Sequence, residues 1–364
     1  MHKTTTTKTK RVFAKVLVTA VGGIVGEGII KSLKFANISD HTPVKYEIFG
    51  VDISAQAAGL YRCDHGILIP PASSPNYIDF IIKIIKENQI DALYVGSDVE
   101  LVNIVKAKKR IETETDAVVI TNPIEVIDTA RDKWKTFEFL KSSHLPLAMS
   151  SLPQDKEKLI QKYNFPLVVK PREGYGSLHF YVVNNMEETE QAINMIQKSG
   201  WRAMVQEYLN ANYEEFTSGI TIDRTGRYVM SSITIRKTPK SGQTYKAVID
   251  SFDEIRKSAE EVAKKLGARS AVNIQAKFNG NEAKVFEINP RFSATTPMRA
   301  IAGINEPDII FRNTILGEDI RITEYEKMLC LRYWNEIYVR YSAYEKMSNS
   351  KQIEENDAFI IDYF

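Results

Sequence analysis

Short, nearly continuous apolar runs alternate with amphipathic stretches in the first third of the chain. Residues 12–19, 46–51 and 92–96 are rich in β-branched and aliphatic side chains, as in strands buried on both faces. Between them, a stretch ending at Lys34 and residues 77–88 carry apolar side chains at helical spacing. The alternation of strands and helices predicts a parallel sheet with helices on both faces, which forms an α/β domain over residues 1–125.

Beyond residue 125 the pattern becomes mixed and then β-rich. Over 126–208, two helices are indicated at residues 130–142 and 186–198, and three strands at 167–170, 180–183 and 203–209. Over 209–320, longer β-rich stretches follow at residues 216–223, 228–237, 271–278 and 283–288. Turn signals at 223–226 and 279–281 predict antiparallel pairing, and a helix over 252–266 is closed by Gly267. The second half is therefore α+β, and residues 321–364 form an extension that closes either the core or a dimer face.

Composition and charge narrow the classes of function. The chain has 364 residues, 43% of them hydrophobic and 26% charged, which leaves room for two or three domains with real cores. Its 48 basic and 46 acidic residues give a net charge of +2, so no global field favours nucleic acid or anionic lipid. No apolar run approaches the roughly 20 residues of a membrane span. Cys63 and Cys330 lack metal-ligand spacing and fit a reducing compartment, so we expect a cytoplasmic protein. The balanced charge and the short apolar runs predict no nucleic-acid or membrane partner.

A strand end rich in oxygen donors is the most specific chemical signal. Glu287 and Asn289 alternate along one strand and therefore share a face. The turn at 279–281 can fold the preceding strand back so that Gln275 lies opposite Glu287. Carboxylate and amide oxygens suit Mg²⁺, so Gln275, Glu287 and Asn289 are predicted metal ligands, with Mn²⁺ as the alternative ion. Arg291, just beyond, can neutralise phosphate oxygens; the plainer alternative is a solvated strand end.

Two further segments suit a nucleotide. Lys170 ends an apolar strand shortly before Gly174, Gly176 and Ser177, and a cation beside a glycine loop can grip a phosphate chain. Most such glycine segments are turns, and the spacing excludes a Walker A loop. Residues 205–209 place polar groups within an apolar strand, with acidic residues six positions on; a nucleoside needs an apolar slot and a carboxylate. The alternative for that stretch is a strand and its turn.

In order and spacing, these segments resemble the ATP-grasp superfamily, most closely single-chain relatives of the carbamoyl-phosphate synthase large subunit. The resemblance runs from Val16 to Glu318. It implies an N-terminal pre-ATP-grasp domain over 1–125, a lid subdomain over 126–208 and a metal- and phosphate-binding subdomain over 209–320. It also implies phosphate contacts by Lys133 and Lys170 and a lid loop containing Gly174, Gly176 and Ser177. The further implied roles are an adenine pocket at Gln206, Glu207, Tyr208 and Leu209, a ribose contact at Glu215, phosphoryl stabilisation by Arg291, and a phosphate or substrate-carboxylate contact by Arg236.

The activity that this resemblance implies is an ATP-dependent carboxylate–amine ligation through an acyl phosphate, releasing ADP and phosphate. No Ser-His-Asp or Cys-His arrangement is evident, which agrees with a mechanism that needs no nucleophilic side chain. Two alternatives remain: an activity like carbamoyl phosphate synthesis, and a non-catalytic ATP-binding regulatory protein. The expected partners are a small-molecule carboxylate and an amine, and the chain could form a homodimer.

The chain departs from the family pattern at two places. Leu178-His179 stands where many relatives have a further glycine, so the lid tip is expected to be stiffer. The segment before the ribose-binding acid lacks its usual glycine, which leaves open whether Glu214 or Glu215 takes that role.

Overall fold

The computed structural model describes residues 11–40, 42–174, 178–240, 243–333, 335–353 and 358–361. The chain divides into two compact units. The first combines the N-terminal part through Ile120 with the residues from Asn335 onward, and the second begins at Thr121. Within the described ranges, no helix is both long and apolar enough to cross a membrane. The finer division of the second unit near residue 208 stays a prediction.

The first unit contains a parallel sheet in the strand order β3-β2-β1-β4-β5. Its strands are β1 (Val12–Val18), β2 (Val44–Asp52), β3 (His65–Leu68), β4 (Ala92–Tyr94) and β5 (Val118–Ile120). Its helices are α1 (Ile24–Ile38), α2 (Tyr77–Asn88) and α3 (Asp98–Thr115). Val16, Leu17 and Val18 are completely buried, as the apolar run predicted. The strand order reverses direction at β1 and β4, as in doubly wound α/β folds.

The second unit begins with a small antiparallel sheet in the order β6-β9-β7-β8. The strands are β6 (Ser150–Ser151), β7 (Leu167–Pro171), β8 (Tyr181–Val183) and β9 (Ala203–Glu207). The accompanying helices are α4 (Ile124–Arg131), α5 (Lys133–Ser142), α6 (Lys156–Tyr163) and α7 (Met186–Lys198). Leu167, Val169 and Val205 pack with Leu159 of α6 and Ile193 of α7, so one face of this sheet is a core. Alternation along the strands places polar side chains on the other face.

A larger antiparallel sheet follows in the order β14-β13-β10-β11-β12-β15. Its strands are β10 (Glu214–Ile222), β11 (Val229–Lys240), β12 (Gln243–Ile249), β13 (Ala271–Phe278), β14 (Ala283–Asn289) and β15 (Met328–Leu331). The helices are α8 (Asp253–Leu266), α9 (Thr296–Ile301) and α10 (Glu306–Thr314). Helix α8 ends at Gly267 with φ 78°, where glycine tolerates the left-handed conformation. Its apolar side packs on Phe216, Ile220 and Ile274, which form one face of the sheet.

The C-terminal residues return to the first unit. They contain β16 (Tyr338–Val339), α11 (Tyr341–Ser350), β17 (Gln352–Ile353) and β18 (Ala358–Phe359). Strand β17 pairs antiparallel with β3, and Met347 and Ile353 are buried. Of the two roles considered for the extension, these described residues therefore close the edge of the first sheet.

Candidate functional site

One face of the large sheet carries polar side chains in three cross-strand rows, and the opposite face packs on α8. Residues directly opposite each other in antiparallel strands point to the same face, so the register identifies each row. The first row is Lys237, Glu215, Lys277 and Lys284; the second is Ile235, Thr217, Gln275 and Glu287; the third is Ile233, Gly219, Asn273 and Asn289. Gln275 thus lies opposite Glu287, as the turn at 279–281 predicted.

A β-bulge in β14 gives Glu287 its place in the second row. Gln275 faces Glu287, but the next residue of β13 faces Val285, which leaves Phe286 as the extra residue. With strict alternation, residues 285 and 287 would point to the same side. The bulge instead allows Val285 to be buried in the α8 core while the Glu287 carboxylate lies on the polar face.

The second row is joined to the first by a chain of hydrogen bonds. Lys237 Nζ lies 2.6 Å from Glu215 Oε1 and donates to Gln275 Oε1 at 2.8 Å. Gln275 Nε2 in turn donates to Glu287 Oε2 at 2.8 Å. Lys237 is buried, with 8% of its surface exposed, so its charge lies beside the Glu215 carboxylate and the Gln275 amide instead of facing solvent. The two acids are therefore joined through one lysine and one amide.

Lys133 reaches Glu287 because the predicted helix over 130–142 is broken. Asp132 separates α4 from α5, and its carboxylate caps α5 by accepting a hydrogen bond from Trp134 N at 2.9 Å. The prediction of one continuous helix was wrong, since a capping aspartate starts a new helix at Lys133. Burial alone would raise the pKa of Asp132, but Arg172 and the backbone donors outweigh it and lower that pKa. Lys133 Nζ donates to the Gly174 carbonyl at 3.0 Å and lies 3.7 Å from Glu287 Oε1.

Lys170 lies on the polar face of the small sheet. Its Nζ donates to Gln206 Oε1 at 2.8 Å, and Gln206 Nε2 donates to Ser150 Oγ at 2.9 Å. Burial and, to a smaller extent, the charge of Lys133 lower the pKa of Lys170 to about 7, although the charge of Glu287 opposes this change. A lysine with this pKa is only partly protonated at neutral pH, and a neighbouring anion favours its protonated form. Gln206 orients this lysine, and its predicted role at the adenine stays a prediction.

The segment from Glu207 to Leu209 leads out of β9. The Glu207 carboxylate is buried and accepts from Met149 N and from Lys284 Nζ, both at 2.7 Å. Leu209 is buried and Tyr208 is 39% exposed. Both oxygens of Glu207 therefore hold protein groups, so this side chain shapes the segment rather than offering a free carboxylate.

The structure corrects the placement of Arg236. This residue pairs with Phe216 on the α8 face, where its Nη1 lies 2.8 Å from Glu214 Oε1. It does not share a face with Gln275 and Glu287. The cation of β11 on that face is the next residue, Lys237, which was not among the predicted site residues. Alternation alone makes 236 and 237 point oppositely but does not say which one faces the polar rows. The same rule separates Glu214 from Glu215 and places Glu215 on the polar face.

The remaining predicted residues lie around this face or outside the described chain. Arg291 Nη2 donates to Asn289 Oδ1 at 3.1 Å, and Nη1 donates to the Phe292 carbonyl at 2.8 Å. Gly176 and Ser177 fall outside the described residues. His179 has φ 56°, a left-handed conformation that favours glycine, which gives a physical reason for the further glycine of the family pattern.

The third row is covered by a buried ion pair. Arg299 Nη1 lies 3.0 Å from Glu306 Oε1, and its Nη2 donates to Asn273 Oδ1 at 2.6 Å. A Cβ on Gly219 would lie 2.0 Å from the Glu306 oxygen and 2.1 Å from Arg299 Nη1. The absence of a side chain at Gly219 therefore allows this pair to lie against the sheet, next to Asn273. Asn273 is itself directly opposite Asn289 in the register.

The donor set suits a hard cation that is completed by a ligand. Glu287, Gln275 and Asn289 place one carboxylate and two side-chain amides at adjacent positions of one face. Both amide oxygens already accept a hydrogen bond, from Lys237 and from Arg291, so an ion would have to share or displace these donors. The described part of the chain contains no group of three or more His, Cys, Asp or Glu side chains that could hold a metal. Mg²⁺ commonly takes one or two carboxylates and fills its shell with phosphate oxygens and water, so these residues fit Mg²⁺ bound together with a phosphate chain.

Comparison with known families covers most of both units. Residues 130–295 match the family model of the ATP-grasp domain, and residues 25–119 match that of the PylC-like N-terminal domain. The carbamoyl-phosphate synthase of Methanobrevibacter smithii is 25% identical over 64% of this chain and 65% of its own length. The large chain of the Pyrococcus furiosus enzyme is 24% identical over 62% of this chain and 23% of its own. The chain thus spans less than two thirds of either relative.

Solved structures share the fold at low sequence identity. N5-carboxyaminoimidazole synthetase from Staphylococcus aureus, solved with ADP, gives a TM-score of 0.66 at 16% identity over 88% of this chain and 81% of that one. The biotin carboxylase domain of Hydrogenobacter thermophilus 2-oxoglutarate carboxylase, solved with MgADP and bicarbonate, gives 0.65 at 18% identity over 85% and 71%. Together with the family models, these likenesses confirm the fold class that the sequence predicted.

Proposed function

We propose that this chain, which belongs to the ATP-grasp superfamily, is an ADP-forming ligase that joins a carboxylate to an amine through an acyl phosphate. The observation that carries the proposal is the grouping of three lysines around one acid. Lys133 lies 3.7 Å from Glu287, and Lys237 is joined to Glu287 through Gln275. Burial lowers the pKa of Lys170, and the charge of Glu287 opposes that change. Cations and oxygen ligands together are what a metal-bound phosphate chain requires.

In this proposal the small and large sheets hold opposite sides of the nucleotide. Lys170 and Lys133 bind phosphate oxygens as point charges, and the phosphates keep Lys170 protonated. Glu287, Gln275 and Asn289 would hold Mg²⁺, which when bound neutralises charge on the phosphate oxygens. A half-turn of the Gln275 amide would present its oxygen to the ion. The same turn would break the hydrogen bonds that Gln275 makes with Lys237 and Glu287. The segment from Glu207 to Leu209 borders the base, and Glu215 is the ribose acid because it lies on the polar face.

The reaction needs positioning and charge stabilisation rather than a side-chain nucleophile. A substrate carboxylate oxygen attacks the γ-phosphorus, and the bond from that phosphorus to the ADP oxygen breaks. An amine then attacks the carbonyl carbon of the acyl phosphate, loses a proton, and expels phosphate as the C–O bond breaks. Lys237 and Arg291 would offset charge on the transferred group and on the tetrahedral intermediate.

The direct test is a substrate screen with product analysis. The protein is incubated with ATP, Mg²⁺ and pooled carboxylates and amines, and ADP, AMP, phosphate and pyrophosphate are quantified. We expect ADP and phosphate to be released only when both a carboxylate and an amine are present. Release dependent on bicarbonate and ammonia would instead support a carbamoyl-phosphate-like activity. AMP with pyrophosphate would refute the acyl-phosphate route, and ATP binding without release in any pool would favour a regulatory role.

A further inference from the structure

Two lysines of the β13–β14 hairpin converge on the segment that we assign to the base. Lys284 Nζ lies 2.7 Å from Glu207 Oε2, and Lys277 Nζ donates to the Leu209 carbonyl at 3.0 Å. The two lysines are directly opposite each other in the register of the hairpin. Like charges at such a position destabilise a strand pair unless each has its own acceptor. Here both acceptors come from one segment of three residues, at the exit from the small sheet.

The Lys284–Glu207 pair is shielded from solvent. Only 7% of Lys284 and 6% of Glu207 is exposed, and the rings of Tyr163 and Tyr213 lie about 6 Å from the ammonium. Burial by itself would lower the pKa of Lys284, but the hydrogen bond and charge of Glu207 outweigh it and raise that pKa. Unlike a surface pair, a buried pair cannot lose one partner without leaving an uncompensated buried charge.

The pair also connects the two sides of the site. Lys284 is three residues before Glu287 on β14, and Glu207 is the next residue after Gln206, which holds Lys170. The second oxygen of Glu207 accepts from Met149 N, which fixes the start of the segment on its other side. The backbone from Glu207 to Leu209 is thus fixed at its start by Glu207 and at its end by Lys277.

We propose that Lys277 and Lys284 are positioning residues, a lysine clamp that sets the base-binding backbone from Glu207 to Leu209 at a fixed distance from the metal-binding strand. This inference rests on the proposed function. The clamp touches neither phosphate nor metal and acts only through the segment that it holds. Its loss should therefore weaken nucleotide binding at the base end and leave the metal-dependent part of binding unchanged.

The test compares ADP affinity, measured by calorimetry with and without Mg²⁺, in the unaltered protein and in Lys277→Met and Lys284→Met. We expect each variant to bind ADP about tenfold more weakly in both conditions. The factor by which Mg²⁺ strengthens binding should stay the same as in the unaltered protein. Lys158→Met, at a side chain that is 85% exposed on α6, is the matched control and should bind as the unaltered protein does.

The outcomes distinguish failure of the clamp from failure of the proposed function. Unchanged ADP affinity in both clamp variants would overturn the clamp, and so would a parallel loss of the Mg²⁺ enhancement, which indicates general loosening of the site. Lys284→Met leaves a buried carboxylate unpaired and could fail to fold. Lys277→Met leaves only a carbonyl without its donor and decides the question in that case. If the unaltered protein binds no ADP at all, the proposed function fails, and the clamp fails with it.

Discussion

Replacing two adjacent residues of β11 separates the structural assignment of the site from the one based on sequence. Lys237 and Arg236 are neighbours with the same charge, but they point to opposite faces of the sheet. Lys237→Met removes the cation that joins Glu215 to Gln275. Arg236→Met removes an ion pair on the α8 face and leaves the polar rows intact. The pair of variants therefore has matched chemistry and opposite expected outcomes.

The magnitudes follow from burial. The Lys237 side chain is 5% exposed and that of Glu215 is 18%, so losing the lysine leaves a largely buried carboxylate without its cation. Breaking a fully buried pair costs about 3–5 kcal/mol, and the partial exposure of Glu215 reduces our expectation to about 2 kcal/mol. The Arg236 and Glu214 side chains are 41% and 56% exposed, and such surface pairs contribute about 0–1 kcal/mol. For MgATP, loss of one charge-assisted hydrogen bond predicts roughly 10- to 100-fold weaker binding for Lys237→Met only.

The measurements are calorimetric titration with MgATP and urea unfolding of the three proteins. Equal slopes of the unfolding free energy against urea would show that the variants share one folded state. We expect Arg236→Met to bind MgATP within about threefold of the unaltered protein. Comparable weakening in both variants would contradict the assignment of faces, and no weakening in Lys237→Met would remove that residue from the site.

Three further outcomes are expected. Glu287→Ala should abolish the Mg²⁺ enhancement of ADP binding. Mg²⁺ alone should bind weakly even to the unaltered protein, because the site supplies one carboxylate and phosphates complete the shell. Tight metal binding without nucleotide in calorimetry would count against the donor set. Because burial holds the pKa of Lys170 at about 7 and phosphates would raise it, ADP binding should take up a proton and weaken by up to about tenfold per pH unit between pH 7 and 9. Lys170→Met should flatten that profile, and a steep profile in the variant would assign the proton elsewhere. Gly219→Ala should destabilise the fold by about 3 kcal/mol in urea unfolding, since the new methyl would overlap the Arg299–Glu306 pair; a loss below about 0.5 kcal/mol would show that the pair moves aside freely.

Much of the fold followed from local pattern, because strands and helices have different hydrophobic periods. The parallel first sheet, the helix closed by Gly267 and the hairpin that sets Gln275 opposite Glu287 were all predicted in this way. Helix α5 shows the limit of the method. Its apolar period continues through residue 132, and only the capping geometry of Asp132 reveals that a new helix begins at Lys133.

The chemical groups of the site could be identified from local pattern: the oxygen donors Gln275, Glu287 and Asn289, and a lysine at a strand end before glycines. Which face of each strand carries the site depends on packing between distant parts of the chain. A period of two fixes relative directions, but the burial of Phe216 against α8 fixes the absolute ones and so selects Lys237 over Arg236. The bulge at Phe286 and the clamp formed by Lys277 and Lys284 likewise depend on partners distant in the chain, whose pairing no local pattern specifies.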